Sequence, residues 1–179
     1  LEVGDADSLL GKALAVNARN NVRKMAERFI AGSDPDQVYQ SVNRLRRQGL
    51  AFTLDLLGEA VISEPEAEAY QRAYLDLITN LSPLVEKWPE NDLVDRDDSG
   101  FIPRCQVSLK LSALYSQFKP IDPIRSSEAV KARLRPILLA AREHEAYVHV
   151  DMEQSSHKGL TQQIFREVLM EDDFRDWSD

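Results

Sequence analysis

The feature that most constrains the fold is a lysine within a strictly alternating strand pattern, in residues 105–114 (CQVSLKLSAL). Val107 and Leu109 point to one face of such a strand, whereas Ser108 and Lys110 point to the other. A buried ammonium group is costly unless a carboxylate or an anionic ligand lies beside it. The pattern therefore predicts a strand with one apolar face and one face that carries an ion-paired or ligand-binding group.

Two other segments show the same alternation and carry an acid near their C-terminal ends. They are residues 52–57 (FTLDLL), which contain Asp55, and residues 147–153 (YVHVDME), which contain Asp151. Between these acids and Lys110 the chain has room for a full helix and its turns, which indicates parallel strands joined by crossover helices. Strands of an open doubly wound sheet would be nearly continuously apolar. The polar face therefore favours a barrel whose pocket lies at the C-terminal strand ends.

The chain is predicted to have a helical leader, residues 1–49, followed by an α/β part, residues 50–179. In the leader one helix covers about 8–31, and a second begins at Asp34 and ends at Gly49. The α/β part alternates, with strands near 50–57, 105–114 and 146–152 and helices near 63–80, 126–145 and 158–171. A (β/α)8 barrel needs eight strands. We therefore expect the α/β part to be the first part of such a barrel, truncated before its fourth strand.

Composition narrows the classes of function. A net charge of −8 argues against non-specific binding to nucleic acid, and we expect no nucleic-acid partner. The single cysteine, Cys105, fits a reducing compartment, so a cytoplasmic location is expected. No apolar run approaches the roughly 18 residues that a membrane span requires.

We expect no metal site. His149, Asp151 and Glu153 lie on one face of a predicted strand, but three successive positions on one face span too much length for one ion. The acidic loop at 95–100 (DRDDSG) is similar to the start of an EF-hand, yet the twelfth position is Gln106 where that motif has glutamate. We therefore predict that this loop is solvated.

Several interpretations of Lys110 stay open on the residues alone. It could be the centre of a structural ion-pair cluster with Asp55 and Asp151, a cation that binds an anionic substrate, or a Schiff-base lysine of an aldolase-type barrel. Glu59 follows the first strand and could overlook the pocket, or it could be a carboxylate favoured by the start of a helix. A non-catalytic α/β interaction domain is a further alternative.

Three motifs together resemble those of the proline dehydrogenase flavoenzyme family. They are residues 55–59 (DLLGE), 107–114 (VSLKLSAL) and 150–153 (VDME), in the same order and with similar spacing. Residues 20–32 (NNVRKMAERFIAG) resemble the segment that precedes the barrel in the bifunctional bacterial proline-utilisation proteins. The resemblance covers nearly the whole chain.

The resemblance implies a distorted (β/α)8 barrel that holds FAD and oxidises L-proline to Δ1-pyrroline-5-carboxylate in proline catabolism, with electrons passing to a membrane quinone. By position, Lys110 matches the lysine that pairs with the carboxylate of proline, and Glu59 matches the glutamate of an ion-pair gate. Asp151 matches an active-site aspartate, and it is expected to contact FAD together with Met152. Asp55 is carried over as an acid that lines the substrate pocket.

The sequence also departs from the family pattern. The paired arginines that clamp the substrate, and most flavin contacts, belong to later strands and a late helix that this sequence lacks. We therefore expect the chain by itself to be inactive, with any aldehyde dehydrogenase domain beyond residue 179. The resemblance leaves room for peripheral association with the inner membrane and for a homo-oligomer of the longer protein.

Overall fold

The structure is a computed structural model that describes residues 9–26, 29–152 and 154–177. The chain divides into two compact units, Leu1–Val42 and Asn43–Asp179. The predicted boundary between a leader and a barrel at residue 49 stays a prediction.

The first unit contains helix α1 (Leu9–Ala26) and most of helix α2 (Pro35–Arg47). The helix predicted over 8–31 thus ends earlier, and residues 27 and 28 lie outside the described residues. The start of α2 is as predicted, because a carboxylate oxygen of Asp34 accepts the backbone N–H of Gln37 at 2.9 Å.

Helix α2 ends at Arg47, and the glycine predicted to end it, Gly49, follows two residues later. This glycine has a φ of 71°, a left-handed conformation that other residues adopt only with strain. Its N–H donates to the carbonyl of Arg46 at 3.0 Å, and the next N–H, of Leu50, donates to that of Leu45 at 3.1 Å. The glycine therefore closes the helix and redirects the chain toward the first strand.

The second unit carries the sheet. In chain order it contains β1 (Leu54–Asp55), α3 (Glu64–Val85), α4 (Asp92–Asp95), β2 (Arg96–Asp97), β3 (Gly100–Phe101), β4 (Cys105–Lys110), a 3₁₀ turn (Leu111–Leu114), α5 (Pro123–Glu143), β5 (Ala146–Asp151) and α6 (Lys158–Leu169). Strands β1, β4 and β5 form a parallel sheet in the order β1-β4-β5, and β2 and β3 form a small antiparallel pair. The predicted α/β fold with parallel strands is confirmed, and it is consistent with a section of a (β/α)8 barrel.

The two faces of the parallel sheet differ as the alternation predicted. Val107 and Leu109 are fully buried on the face that helices α3 and α5 cover. Gln106 and Ser108, on the other face of β4, are half-buried, and His149 on β5 is exposed. The apolar face therefore forms the core, while the polar face is open within the described residues.

Helix α3 runs five residues beyond its predicted end near residue 80. It begins at the predicted capping box, where the Glu66 carboxylate accepts the N–H of Ser63 at 3.2 Å. Its last turns contain Pro83, but Leu81 and Val85 are completely buried. Pro83 has no backbone N–H and cannot donate the helical hydrogen bond at its position. Burial of Leu81 and Val85 stabilises the final turns despite this loss.

The loop at 95–100 was predicted to be solvated, and this prediction is wrong for Asp95. That residue ends helix α4 and is 0% exposed, whereas the residues after it form the β2–β3 hairpin. The reason is a pair of arginines, one 49 and one nine positions away in the sequence, whose contacts are given with the charged clusters below.

Candidate active site

Three charged residues meet at the C-terminal edge of the parallel sheet. Asp55 is the last residue of β1, Lys110 the last of β4 and Asp151 the last of β5. Lys110 and Asp151 are direct partners in the strand register, and Asp55 lies opposite Ser108. The parallel topology therefore brings together residues that are 55 and 41 positions apart.

We call Lys110, Asp55 and Asp151 the Lys110 cluster. The Lys110 side chain is only 8% exposed, and its ammonium group donates a hydrogen bond to Oδ2 of Asp55. The ammonium nitrogen lies 3.5 Å from Oδ2 of Asp151. Each aspartate side chain is 44% exposed, so the carboxylates face the open side of the sheet.

The 3₁₀ turn that follows β4 fixes the backbone at Lys110. Leu111 and Leu114 in this turn are at most 1% exposed. The strand therefore ends at Lys110, and the residues that follow it pack in the core. The strand predicted over 105–114 thus stops halfway, because these leucines occupy a tight turn. Lys110 consequently stands at the strand end, where ligands bind in parallel α/β folds.

Such a cluster can hold a small zwitterion. An ammonium group beside two carboxylates carries a formal net charge of −1, so it offers a cation for a ligand carboxylate and acceptors for a ligand ammonium. A simple anion would meet two negative groups around one positive group. The structure therefore brings Lys110 together with Asp55 and Asp151, the two acids that the sequence analysis named as its partners, and the cluster carries mixed charge.

The other predicted site residues lie nearby in the chain, with different surroundings. Glu59 is half-buried in the loop after β1, where Gly58 turns the chain with a φ of 105°. Its carboxylate makes no ion pair with another described residue. Met152 follows Asp151 and is 44% exposed. Glu153, the third acid of its strand face, lies outside the described residues.

Sequence reasoning missed two tyrosines beneath the cluster. Tyr70 and Tyr74 lie one turn apart on α3 and are 6% and 0% exposed. The Tyr74 hydroxyl donates to the carbonyl of Ser108 and accepts the N–H of Leu56 at 3.4 Å. Burial raises the pKa of both phenols, that of Tyr70 well above the usual range. Two tyrosines at i and i+4 indicate a shared helix face, but not which strand they reach.

The described residues contain no group of three or more His, Cys, Asp or Glu side chains placed to hold a metal ion. Burial raises the pKa of the Cys105 thiol to about 11, which keeps it in the unreactive protonated form. Across the same described part of the chain, no helix is both long enough and apolar enough to cross a membrane.

A second buried charge cluster lies at the end of α4. We call Asp95, Arg46 and Arg104 the Asp95 cluster. Arg46 contacts both carboxylate oxygens of Asp95, at 2.5 and 2.6 Å, and Arg104 approaches Oδ2 to 3.1 Å. The backbone N–H of Asn91 donates to the same carboxylate at 2.9 Å. The guanidinium of Arg46 also lies 5.5 Å from the ring centroid of Trp88.

Burial opposes ionisation of Asp95, but the hydrogen bonds from Arg46, Asn91 and Arg104 outweigh it and lower its pKa to about 2. Every oxygen of the carboxylate is thus engaged by the protein. This cluster joins the end of α2 to the loop ahead of β4, and it leaves no surface for a ligand.

Comparison with known proteins gives a consistent picture. A family model described as proline dehydrogenase matches residues 38–179. Proline dehydrogenase 1 of Bacillus subtilis (strain 168) is 30% identical over 146 residues, which is 82% of this chain and 40% of that protein. The bifunctional protein PutA of Escherichia coli (strain K12) is 23% identical over 157 residues, 88% of this chain and 11% of that protein.

A solved structure has the same fold at higher identity. Proline utilization A (PutA) from Bdellovibrio bacteriovorus, in a form inactivated by N-propargylglycine, superimposes with a TM-score of 0.89 at 38% identity. The match covers 94% of this chain and 18% of that protein. This chain therefore spans less than half the length of these relatives. From the family match and the shared fold, the chain belongs to the proline dehydrogenase family.

Proposed function

We propose that this chain is part of a longer FAD-dependent enzyme that oxidises L-proline to Δ1-pyrroline-5-carboxylate, and that it contributes the residues that bind the charged groups of proline. The observation that carries the proposal is the Lys110 cluster. It places a buried lysine between two half-exposed carboxylates at the ligand-binding edge of a parallel sheet. Family membership supplies the reaction class.

Each member of the cluster has a separate role in this proposal. Lys110 binds the carboxylate of proline with an ammonium group that Asp55 holds in place. Asp151 contacts Lys110 through Oδ2, and in this proposal its other oxygen, Oδ1, binds the ring nitrogen. The zwitterionic substrate thus matches the mixed charge of the cluster, and its two charged groups define one orientation of the ring.

The residues at the end of β5 suit a flavin. Asp151 is the last residue of β5 and Met152 follows it directly, 44% exposed, and thioethers pack favourably against aromatic rings. These two residues would contribute to holding FAD, together with contacts from the rest of the longer protein. When bound, FAD supplies the two-electron oxidation, and a membrane quinone takes up the electrons.

Glu59 is proposed to close the site. It lies four residues after Asp55, in a half-buried position beyond the strand end, and Gly58 provides the turn that aims this loop. A carboxylate without an ion pair among the described residues suits a gate whose arginine partner comes from elsewhere in the longer protein. In this proposal the arginines that complete the carboxylate clamp also come from elsewhere in the longer protein.

The geometry argues against a Schiff-base role for Lys110. A lysine that attacks a carbonyl must present an uncharged amine, which is favoured in an apolar site or beside another cation. Lys110 instead lies against two carboxylates, which stabilise the ammonium form. Substrate binding by a charged lysine fits these contacts better than nucleophilic attack.

The organisation of the longer protein is also part of the proposal. Residues 1–49 act as a helical leader and residues 50–179 as the first part of the barrel, and the chain alone does not oxidise proline. The relatives include both a proline dehydrogenase and a bifunctional PutA protein. The proposed location is the cytoplasm, with association at the inner membrane surface where the quinone lies.

The proposal is tested in the longer, flavin-loaded protein by measuring L-proline oxidation with a soluble quinone acceptor. Replacing Lys110 by methionine should raise the KM for L-proline about tenfold or more, because one charged hydrogen bond to the carboxylate is lost. The flavin absorbance per protein should remain near that of the wild type.

The matched control is Lys131→Met. Lys131 is also largely buried, at 18% side-chain exposure, and it pairs at 2.7 Å with Glu167, so that the pair joins α5 to α6. It should leave the KM unchanged. No proline oxidation by the wild type, or an unchanged KM in Lys110→Met, would contradict the proposal.

A further inference from the structure

The hydroxyl group of Tyr74 connects the two strands that carry Asp55 and Lys110. It donates to the carbonyl of Ser108, the residue opposite Asp55 in the register and two before Lys110. It accepts the N–H of Leu56, the residue directly after Asp55. One buried side chain from α3 thus contacts both strands at the level of the Lys110 cluster.

The proton on each hydroxyl can be assigned. A carbonyl oxygen cannot donate, so the single proton of Tyr74 is committed to Ser108. The hydroxyl oxygens of Tyr70 and Tyr74 are 3.3 Å apart, and Tyr70 must therefore be the donor of that bond. Tyr74 accepts twice and donates once, which uses the full capacity of a phenol.

The other side-chain contacts between β1 and β4 are the ion pair of Asp55 with Lys110 and a 3.4 Å hydrogen bond from the residue before β1, Thr53, to Gln106. Only Leu54 and Asp55 of β1 pair with β4, whereas all six residues of β5 do. Asp55 itself is exposed, so packing does not hold its backbone. The Tyr74 side chain, in contrast, is completely buried and T-stacked on Tyr70, with ring centroids 5.1 Å apart. Because packing holds this side chain in place, its hydroxyl can fix the position of β1 relative to β4.

We propose that Tyr74 is a positioning residue that sets the separation of Asp55 and Lys110 through Leu56 and Ser108, and thereby sets the affinity for the substrate carboxylate. This inference rests on the proposed function of the Lys110 cluster. Without the hydroxyl, β1 is free to shift relative to β4. The ammonium group of Lys110 then loses the partner that aims it.

Tyr70 provides a matched control on the same helix. It is buried to a similar degree, and its hydroxyl bonds that of Tyr74 rather than a strand. Tyr70→Phe removes the same atom from the same environment but leaves the connection between the strands. A difference between Tyr70→Phe and Tyr74→Phe therefore reports on that connection.

The experiment uses the longer flavin-loaded protein and steady-state oxidation of L-proline. Tyr74→Phe should raise the KM about tenfold and change kcat by less than about twofold, because it disturbs binding rather than the oxidation step. Tyr70→Phe should keep the KM within about twofold of the wild type. In a Lys110→Met background, Tyr74→Phe should raise the KM no further, because the two residues act through one contact.

If Tyr74 had a purely structural role, Tyr74→Phe would lower the melting temperature. Any rise in the KM would then be the same in the wild-type and Lys110→Met backgrounds. Equal KM values for Tyr74→Phe and Tyr70→Phe, with an active wild type, would overturn this inference alone. A wild type that does not oxidise proline would overturn the proposed function.

If Tyr74→Phe does not fold, 4-aminophenylalanine at position 74 replaces it, since its amino group can still donate to Ser108. The wild-type KM is expected for that variant. A KM raised as far as that of Lys110→Met in this folded variant would overturn the inference.

Discussion

The Lys110 cluster and the Asp95 cluster each consist of three charged residues around one buried charge, yet they are built in opposite ways. In the Asp95 cluster two arginines surround one carboxylate that is 0% exposed, giving a formal charge of +1. In the Lys110 cluster two carboxylates, each 44% exposed, flank one buried lysine, giving −1. The first is closed on all sides, and the second is open on the polar face of the sheet.

The difference teaches how a structural cluster can be told from a binding cluster. The Asp95 carboxylate accepts from two arginines and a backbone N–H, so a ligand could bind only by displacing protein groups. The carboxylates of the Lys110 cluster keep exposed oxygens at the strand ends. Free capacity for hydrogen bonding, rather than burial of charge, is therefore what marks the candidate site.

The largest expected effect comes from breaking the closed cluster. Asp95→Asn leaves Arg46 buried without a counter-ion and Arg104 with only the Glu86 carboxylate, 3.9 Å away, and should lower the free energy of unfolding by about 3–5 kcal/mol. Urea unfolding of the longer protein, monitored by the fluorescence of Trp88 beside Arg46, measures this change. The KM for proline of the folded fraction should not change. The exposed pair of Asp172 and Arg175 is the control, and Asp172→Asn should cost too little to resolve.

The next largest effect should be a loss of stability at acid pH that comes from the Asp95 cluster. The pKa of Asp95 is lowered from 3.8 to about 2, so its contribution is fully present above about pH 4 and is lost as the pH falls toward 2. Unfolding curves between pH 5 and pH 2 for the wild type and Asp95→Asn measure the effect. The wild type should lose stability more steeply. Parallel curves for the two proteins would show that Asp95 does not titrate as proposed.

Glu64 offers a sharper version of the comparison, because it shares features with both clusters. Its side chain is 43% exposed, as in the Lys110 cluster. Its oxygens are nevertheless occupied, by the N–H and hydroxyl of Ser116 at 3.1 and 2.6 Å and by Arg133 at 2.7 Å. Burial opposes its ionisation, but these bonds prevail and lower its pKa.

If free hydrogen-bonding capacity marks the site, Glu64 is structural. Glu64→Gln should then cost about 1 kcal/mol of unfolding free energy and leave the KM for proline unchanged. Asp55→Asn, at nearly equal exposure, should do the reverse, with a raised KM and a small stability change. A raised KM in Glu64→Gln would show that exposure, and not free capacity, identifies the site residues.

Much of this arrangement could be predicted from the sequence, because it follows from local periodicity. The period of two in residues 105–110 places Lys110 and Ser108 on one face, and the helix signals at Asp34 and Gly49 are local as well. The segments between the strands are long enough for a crossover helix, which indicated parallel strands. That topology was enough to bring Asp55, Lys110 and Asp151 to one edge.

The parts that could not be predicted depend on contacts between distant segments. Asp95 looked like a solvated loop acid because its partner Arg46 is 49 positions away. Tyr74 reaches Ser108 across 34 positions, and no local pattern encodes that bond. The pairing of β1 is similar, since only two residues of the predicted strand at 50–57 meet β4. Edge pairing is decided by neighbouring strands and helices rather than by the alternation itself.

The central claim, that the Lys110 cluster binds the substrate carboxylate, is tested most directly by a pair of equilibrium titrations. Cyclopentanecarboxylate and its neutral amide have nearly the same shape but differ in charge, and neither has the ring carbon–nitrogen bond that is oxidised in proline. In the flavin-loaded longer protein the wild type should bind the carboxylate about tenfold or more tightly than the amide. Lys110→Met should lose most of that preference, whereas Lys131→Met should keep it. A preference that is the same in Lys110→Met as in the wild type would contradict the account.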